Sequence, residues 1–141
     1  MNKKPISIYF HWPFCVSKCP YCDFNTHIQR KIDQKEWEYA LKVELNYFIK
    51  NILSNNNENY YLRSIFFGGG TPSLMDPKVI RKLIDYCKEK FQLLDPYTDP
   101  EITLEANPSS ILKAGCHSFD SSTLVSYCDI DRPNRHVLGK N

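Results

Sequence analysis

Two short stretches of the chain alternate apolar and polar residues with a period of two. In Ile6–His11 (ISIYFH), Ile, Ile and Phe alternate with Ser, Tyr and His, and Glu101–Ala106 (EITLEA) shows the same alternation. A third stretch, Leu62–Phe67 (LRSIFF), is almost wholly apolar near its end. Alternation predicts a strand with one buried face, and a short apolar run predicts a parallel strand covered on both faces. The pattern therefore predicts three β-strands.

Apolar residues with helical spacing fill the two intervals between these strands. The first helix is predicted at about Gln34–Ser54, with Asp33 as its N-cap. The second is predicted to begin after Asp76, its N-cap, with Pro77 at the first helical position. The apolar face predicted for the first helix consists of Trp37, Leu41, Leu45, Phe48, Ile49 and Ile52. The apolar face predicted for the second consists of Val79, Ile80, Leu83, Ile84, Cys87 and Phe91.

Strands that alternate with amphipathic helices form βαβ units, so this order predicts an α/β fold with a parallel sheet. In such sheets the ligand-binding residues lie at the carboxyl ends of the strands. Three features of the sequence occupy those positions: a cysteine-containing loop at residues 12–28, three glycines at residues 68–70, and Glu105 on the third strand. We therefore predict that one edge of the sheet carries the functional site.

Composition and charge exclude several classes of protein. The 141 residues suit one modest domain, and 42% of them are hydrophobic and 24% charged, as in ordinary globular proteins. The net charge of +2 gives no electrostatic reason to expect nucleic acid or an anionic membrane as a partner. No apolar run reaches the length of a transmembrane segment, and the first ten residues lack the form of a signal peptide. We therefore expect a cytoplasmic protein in a reducing environment.

Three of the six cysteines, Cys15, Cys19 and Cys22, lie within eight residues. In a reducing compartment this crowding favours a metal site over disulfides. A four-iron cluster is one candidate, because three thiolates hold three irons and leave the fourth open to a small molecule. Zinc is a second candidate, with His11 or His27 as the fourth ligand. A third interpretation is that the cysteines bind no metal, but a proline-containing loop is a poor place for core cysteines.

The spacing C-x3-C-x2-C resembles the signature of the radical S-adenosylmethionine superfamily. Three separated motifs, YFHWPFCVSKCPYCDFN, FFGGGTPSLM and ITLEANP, resemble one branch of it, the HemW heme chaperones and the oxygen-independent coproporphyrinogen III oxidases. The resemblance covers residues 5–108. Asp23 and Phe24 follow the third cysteine, where the oxidases usually carry a further cysteine, and this favours the HemW type. The implied fold is a partial parallel (β/α) barrel with about the first three β/α units.

The resemblance also implies cofactors and partners. It implies a [4Fe-4S] cluster on the three cysteines and S-adenosylmethionine on its open iron, with one-electron cleavage to a 5′-deoxyadenosyl radical. It further implies heme or a porphyrinogen as a ligand, and an electron donor such as flavodoxin or ferredoxin. The residues implied to contact S-adenosylmethionine are Tyr9, Tyr21, Gly69, Gly70, Thr71 and Glu105. From the residues alone, Tyr9 belongs to the core, the glycines form a tight turn and Glu105 is a solvated strand residue.

The last part of the chain departs from the family pattern. GCHSFD (Gly115–Asp120) resembles the Gly-x-Gln-Ser-Phe stretch of a fourth strand, with His117 in place of the glutamine, but the helix before it is missing. We therefore expect residues 1–108 to form the N-terminal part of the barrel and residues 109–141 a degenerate or disordered tail. A partial barrel leaves a strand edge open, so we expect a marginally folded, inactive chain. The alternative function is a non-catalytic fragment that binds zinc through the same cysteines.

Overall fold

The computed structural model describes residues 3–17, 20, 22–23, 25–53, 59–93 and 99–106. The elements in chain order are β1 (Lys4–Trp12), β2 (Phe14–Cys15), β3 (His27–Ile28), α1 (Gln34–Asn51), β4 (Tyr60–Gly69), a 3-10 helix (Pro72–Leu74), α2 (Pro77–Lys90), β5 (Gln92–Leu93) and β6 (Glu101–Leu104). The three predicted strands and two predicted helices are confirmed. The predicted tail, residues 109–141, lies outside the described residues.

The main sheet is parallel, and β4 is its central strand. Strand β1 pairs with β4 along the whole length of β4, from Lys4 beside Tyr60 to Trp12 beside Gly69. On the opposite edge, β5 pairs with the start of β4 and β6 pairs with its end. The long strands thus lie in chain order, β1–β4–β6, with a helix between each pair. This arrangement confirms the predicted α/β fold of the partial-barrel type.

A β-bulge at Arg63 sets which side chains of β4 enter the core. The register passes from Ile6 beside Leu62 to Ser7 beside Ser64, so Arg63 has no partner in β1. An extra residue shifts the two-residue alternation by one position. As a result Leu62 and Ile65, which are three residues apart, are both buried, at 2% and 0% exposure.

The predicted apolar face of α2 is confirmed, because all six of its residues are buried. On α1, Leu41, Leu45 and Ile49 are buried, but the prediction was wrong for Phe48 and Ile52, which are 44% and 60% exposed. The three buried residues are spaced four positions apart. Four residues make slightly more than one turn, so such a row shifts around the helix axis by about 40° at each step. Phe48 falls off this row near the end of the helix, and Ile52 lies beyond its last residue.

Both predicted N-caps are present. The Asp33 carboxylate accepts hydrogen bonds from the N–H groups of Lys35 and Glu36, both at 3.0 Å. The Asp76 carboxylate accepts one from the N–H of Lys78 at 2.8 Å, and Pro77 is the first helical residue. Each cap satisfies N–H groups that have no partner inside the helix, which fixes where the helix begins.

Glu38 connects the two helices through two lysines. Its carboxylate accepts from Lys42 Nζ at 2.7 Å on α1 and from Lys82 Nζ at 3.1 Å on α2. These hydrogen bonds, Lys42 first, lower the pKa of Glu38 against the opposing effect of burial. The stability contributed is therefore present above the ordinary pKa of a glutamate and is lost as the pH falls through the lowered value.

Residues 12–28 were predicted as a loop, and this prediction was wrong in part. Trp12 belongs to β1, and β2 and β3 form a second, two-stranded parallel sheet that pairs Phe14 with His27 and Cys15 with Ile28. The His27 N–H donates to the Pro13 carbonyl at 2.7 Å. Two-residue strands leave no periodic signal, so the sequence pattern gave no sign of them. Their effect is to fix the backbone of the first cysteine.

The helix-free face of the sheet is partly open in the described residues. Strand β4 was predicted to be covered on both faces, but Ser64 and Phe66 are only half-buried and Tyr9 of β1 is 55% exposed. Each helix connects one long strand to the next, and each new strand is added on the same side of the sheet. Connections of this kind are right-handed, so both helices lie on the same face of the sheet. No helix among the described residues is long and apolar enough to cross a membrane.

Candidate functional site

The carboxyl ends of the three long strands meet at one edge of the sheet. Trp12 at the end of β1 pairs with Gly69 at the end of β4, and Phe67 pairs with Leu104 at the end of β6. The Glu105 N–H continues this ladder by donating to the Phe67 carbonyl at 2.9 Å. The cysteine loop, the glycine loop and Glu105 are therefore neighbours, as the strand order predicted.

Gly69 has a backbone conformation that other residues rarely adopt. Its φ angle is +113°, and a Cβ at this position would lie 2.9 Å from the Trp12 carbonyl oxygen. Its N–H donates to Glu105 Oε2 at 3.0 Å. This hydrogen bond orients the Glu105 carboxylate beside the end of β4.

Gly70 and Thr71 join the glycine loop to the cysteine loop. The Gly70 N–H donates to the Trp12 carbonyl at 2.6 Å, and the Thr71 N–H donates to the Phe14 carbonyl at 2.9 Å. A Cβ on Gly70 would lie 2.6 Å from the Phe14 carbonyl oxygen, so only glycine permits this approach. The N–H groups of residues 69–71 therefore bond within the protein.

Cys15, the first predicted cluster ligand, is held in place by a side chain as well as by its own backbone. Cys15 is 7% exposed, and Thr71 Oγ1 donates to Cys15 Sγ at 3.3 Å. Cys22 is half-buried, and neither cysteine is in a disulfide. Cys19 and Tyr21 lie outside the described residues. Within the described part of the chain no three His, Cys, Asp or Glu side chains come close enough to hold a metal ion.

From the residues alone Tyr9 is expected in the core, and that expectation is wrong because its side chain is 55% exposed on the open face. Its ring stacks on Phe66 at 5.6 Å between centroids. Its hydroxyl reaches across β4, since a Cβ at Gly68 would lie 2.7 Å from it. Burial of this end of the side chain raises the pKa of Tyr9, and the negative charge of Glu105 raises it further. The phenol is therefore neutral at pH 7.

Glu105 is neither a solvated strand residue nor a core residue. It is half-buried, and one of its carboxylate oxygens accepts a hydrogen bond from the Gly69 N–H. Its negative charge raises the pKa of the Tyr9 hydroxyl. We call Tyr9, Cys15, Gly69, Gly70, Thr71 and Glu105 the strand-end site. Its side chains on the open face offer a carboxylate and a phenol oxygen, which suit a ligand with hydroxyl groups or positive charge.

Cys87 does not belong to this site, as predicted. It is fully buried on the apolar face of α2, and burial raises its pKa to about 12. Its thiol is therefore protonated at neutral pH and packs as an apolar group.

Sequence reasoning missed two residues that support the site. Phe14 acts through its backbone. Its carbonyl oxygen accepts a hydrogen bond from the Thr71 N–H, and it lies so close to Gly70 that a side chain at residue 70 would collide with it. The Gln34 side chain, at the start of α1, accepts from the Asp76 N–H at 3.0 Å and donates to the Leu74 carbonyl at 3.3 Å. Gln34 thus ties α1 to the segment that follows the glycine loop. Neither role leaves a signal in the sequence, because backbone contacts and helix-start amides have no fixed spacing.

A parallel β/α sheet with a cysteine loop and a glycine loop at its strand ends is typical of α/β proteins whose functional site lies at this edge. Comparison with known families makes this specific. The sequence profile of the Radical SAM superfamily matches residues 9–119. The chain therefore belongs to the radical S-adenosylmethionine superfamily.

Relatives of the chain include proteins named for that superfamily and proteins named heme chaperones. It is 43% identical over 110 residues to "Radical S-adenosyl methionine domain-containing protein 1, mitochondrial" of Dictyostelium discoideum, covering 74% of this chain and 25% of that protein. It is 41% identical to "Heme chaperone HemW" of Haemophilus influenzae, covering 76% of this chain and 27% of that protein. The chain thus spans about a quarter of the length of these relatives.

A solved structure has the same fold. It is described as "Coproporphyrinogen III oxidase (HemN) from Escherichia coli is a Radical SAM enzyme", and it matches with a TM-score of 0.51 and 22% identity. The match covers 82% of this chain and 27% of that one. At this level of identity the likeness concerns the fold, and it agrees with the parallel strand order described above.

Proposed function

We propose that the strand-end site binds a [4Fe-4S] cluster and S-adenosylmethionine, as part of a HemW-type protein of heme metabolism. The observation that carries the proposal is the direct connection between the motifs. Thr71 of the glycine loop bonds to Cys15 of the cysteine loop, and Gly69 of the same loop bonds to Glu105. Cofactor-binding segments that are separated by up to ninety residues are thereby assembled at one sheet edge.

The donor set fits an iron–sulfur cluster. Cys15 and Cys22 are free thiols seven positions apart in the sequence, and soft thiolate ligands favour iron–sulfur clusters or zinc. We propose Cys19, between them in sequence, as the third ligand. In this family the reduced cluster supplies the electron that cleaves S-adenosylmethionine. The binding of zinc alone is the competing outcome, which metal analysis of the reconstituted protein separates from the cluster.

The residues of this chain are well suited to orient S-adenosylmethionine beside such a cluster. Glu105 keeps an acceptor oxygen for a hydroxyl or ammonium group after its bond to Gly69. Tyr9 presents a neutral hydroxyl on the same face. We propose that both contact the ligand, together with Tyr21 and the backbone carbonyl groups of Gly69, Gly70 and Thr71, since the N–H groups of these three residues are already bonded within the protein.

We propose heme as the partner of the HemW-type protein to which this chain corresponds in part. The relatives named heme chaperones support it, as does the presence of Asp23 and Phe24 where the oxidases usually carry a further cysteine.

A flavodoxin- or ferredoxin-type donor is the proposed source of electrons. Thiolate ligands require a reducing compartment, which we propose as the location. We propose the N-terminal barrel part as residues 1–108.

Replacing Glu105 by glutamine tests the ligand site. Glutamine keeps an oxygen for the Gly69 N–H, so the fold is preserved, but it removes the negative charge. A hydrogen bond to a charged group contributes about 1.5–3 kcal/mol, so we expect S-adenosylmethionine affinity to fall about 10- to 100-fold. Calorimetry on anaerobically reconstituted protein measures this change. Glu101→Gln, at the exposed start of the same strand, is the matched control, and equal affinities for wild type and Glu105→Gln would contradict the assignment.

A further inference from the structure

The hydroxyl of Thr71 is directed at a cysteine 56 residues earlier in the chain. Thr71 Oγ1 donates to Cys15 Sγ at 3.3 Å, and both groups are at least partly buried. The family resemblance assigns Thr71 to S-adenosylmethionine, but here its hydroxyl is already engaged with the first predicted cluster ligand.

The backbone around Thr71 holds this hydroxyl in a fixed position. The Thr71 N–H donates to the Phe14 carbonyl at 2.9 Å, and its carbonyl accepts from the Leu74 N–H at 2.9 Å. Cys15 is fixed in turn, because its carbonyl accepts from the Gln29 N–H at 3.2 Å in the small β2–β3 sheet. Both partners therefore lie on ordered backbone, and the hydrogen bond costs little further ordering.

We propose that Thr71 is a positioning residue whose hydroxyl sets the reduction potential of the cluster through Cys15. This inference rests on the proposed cluster at Cys15, Cys19 and Cys22. Reduction adds negative charge that is shared with the ligand sulfurs, and a hydrogen-bond donor stabilises the more negative state. Hydrogen bonds to ligand sulfurs are among the means by which proteins tune such centres. The Thr71 hydroxyl therefore makes the cluster easier to reduce.

Redox titration of the reconstituted 141-residue protein, followed by electron paramagnetic resonance, tests the proposal. Thr71→Val removes the hydroxyl and keeps the shape of the side chain, whereas Thr71→Ser keeps the hydroxyl. A hydrogen bond of ordinary strength corresponds to about a tenfold change in an equilibrium. At a fixed potential we expect about a tenfold lower ratio of reduced to oxidised cluster in Thr71→Val, which is about 59 mV for one electron. Thr71→Ser should titrate like wild type.

Thr103→Val on β6 is the matched control for the substitution itself, and it should titrate like wild type. If only Thr71→Val fails to assemble a cluster, the hydroxyl serves to hold Cys15 in place and does not set a potential, and the inference is overturned. If Thr71→Val keeps the wild-type potential, the inference is overturned, and a simultaneous loss of S-adenosylmethionine affinity would assign the hydroxyl to that ligand instead. If Thr71→Ser fails together with Thr71→Val, the hydroxyl is not the cause and the inference is also overturned. A wild-type protein that binds no cluster would instead contradict the proposed function.

Discussion

Replacing Cys15 with alanine is expected to abolish the brown iron–sulfur absorbance of the anaerobically reconstituted protein. Cys15 is a free, buried thiol that is fixed by the β2–β3 sheet and by the Thr71 hydroxyl. With one of three thiolates removed, the remaining two cannot hold a four-iron cluster with a single open position. Iron content and absorbance should fall to the level of the triple variant of Cys15, Cys19 and Cys22. Iron analysis and visible spectroscopy measure the effect.

Cys87→Ala is the control for the loss of a cysteine. Cys87 is fully buried on α2 and its pKa is raised to about 12, so it offers no thiolate to a metal. This variant should keep its iron while losing some stability, because it leaves a small cavity in the core. A triple-cysteine variant that retains its iron would show that the metal is bound elsewhere.

Replacing Gly70 with valine is expected to disrupt both the fold near the site and the cluster. The first side-chain carbon would lie 2.6 Å from the Phe14 carbonyl oxygen, and a backbone atom cannot rotate aside. The displaced segment contains Cys15, so cluster assembly should fail together with S-adenosylmethionine binding. Overpacking of this kind costs about 1–3 kcal/mol, which urea unfolding of the cluster-free protein measures.

Ala40→Val is the control for added side-chain volume, because Ala40 is exposed on α1. Its unfolding midpoint and iron content should remain close to those of wild type. A Gly70→Val protein with wild-type stability and iron content would contradict the close contact between the glycine and cysteine loops. Loss of S-adenosylmethionine binding alone, with the cluster intact, would show that Gly70 serves the ligand and not Phe14.

Much of the fold was predictable because its signals are local. The alternation in Ile6–His11, the caps at Asp33 and Asp76 and the apolar stripe of α2 each depend on a few neighbouring residues. The parallel order of β1, β4 and β6 followed from the intervening helices. The bulge at Arg63 and the two-residue strands β2 and β3 were not predictable, because they arise from pairing between segments that are distant in sequence or too short for a period.

The site was predicted as a set of motifs but not as a set of contacts. Strand order alone brings Cys15, Gly69 and Glu105 to one edge. The sequence did not indicate that the loop N–H groups bond to Trp12, Phe14 and Glu105, since any backbone carbonyl or nearby carboxylate can accept them. From the residues alone Tyr9 is expected in the core, but the face of the sheet on which it lies is uncovered in the described residues, so its side chain is exposed.

Electron paramagnetic resonance of the reduced, reconstituted protein tests most directly whether one sheet edge holds both a three-cysteine cluster and S-adenosylmethionine. We predict a [4Fe-4S] signal in the wild-type protein that changes shape when S-adenosylmethionine is added, because the open iron gains a ligand. The Glu105→Gln variant should show the same initial signal and need a higher concentration of S-adenosylmethionine for the change. A protein that binds zinc and gives no signal, or a cluster signal that S-adenosylmethionine leaves unchanged, would contradict the proposed site.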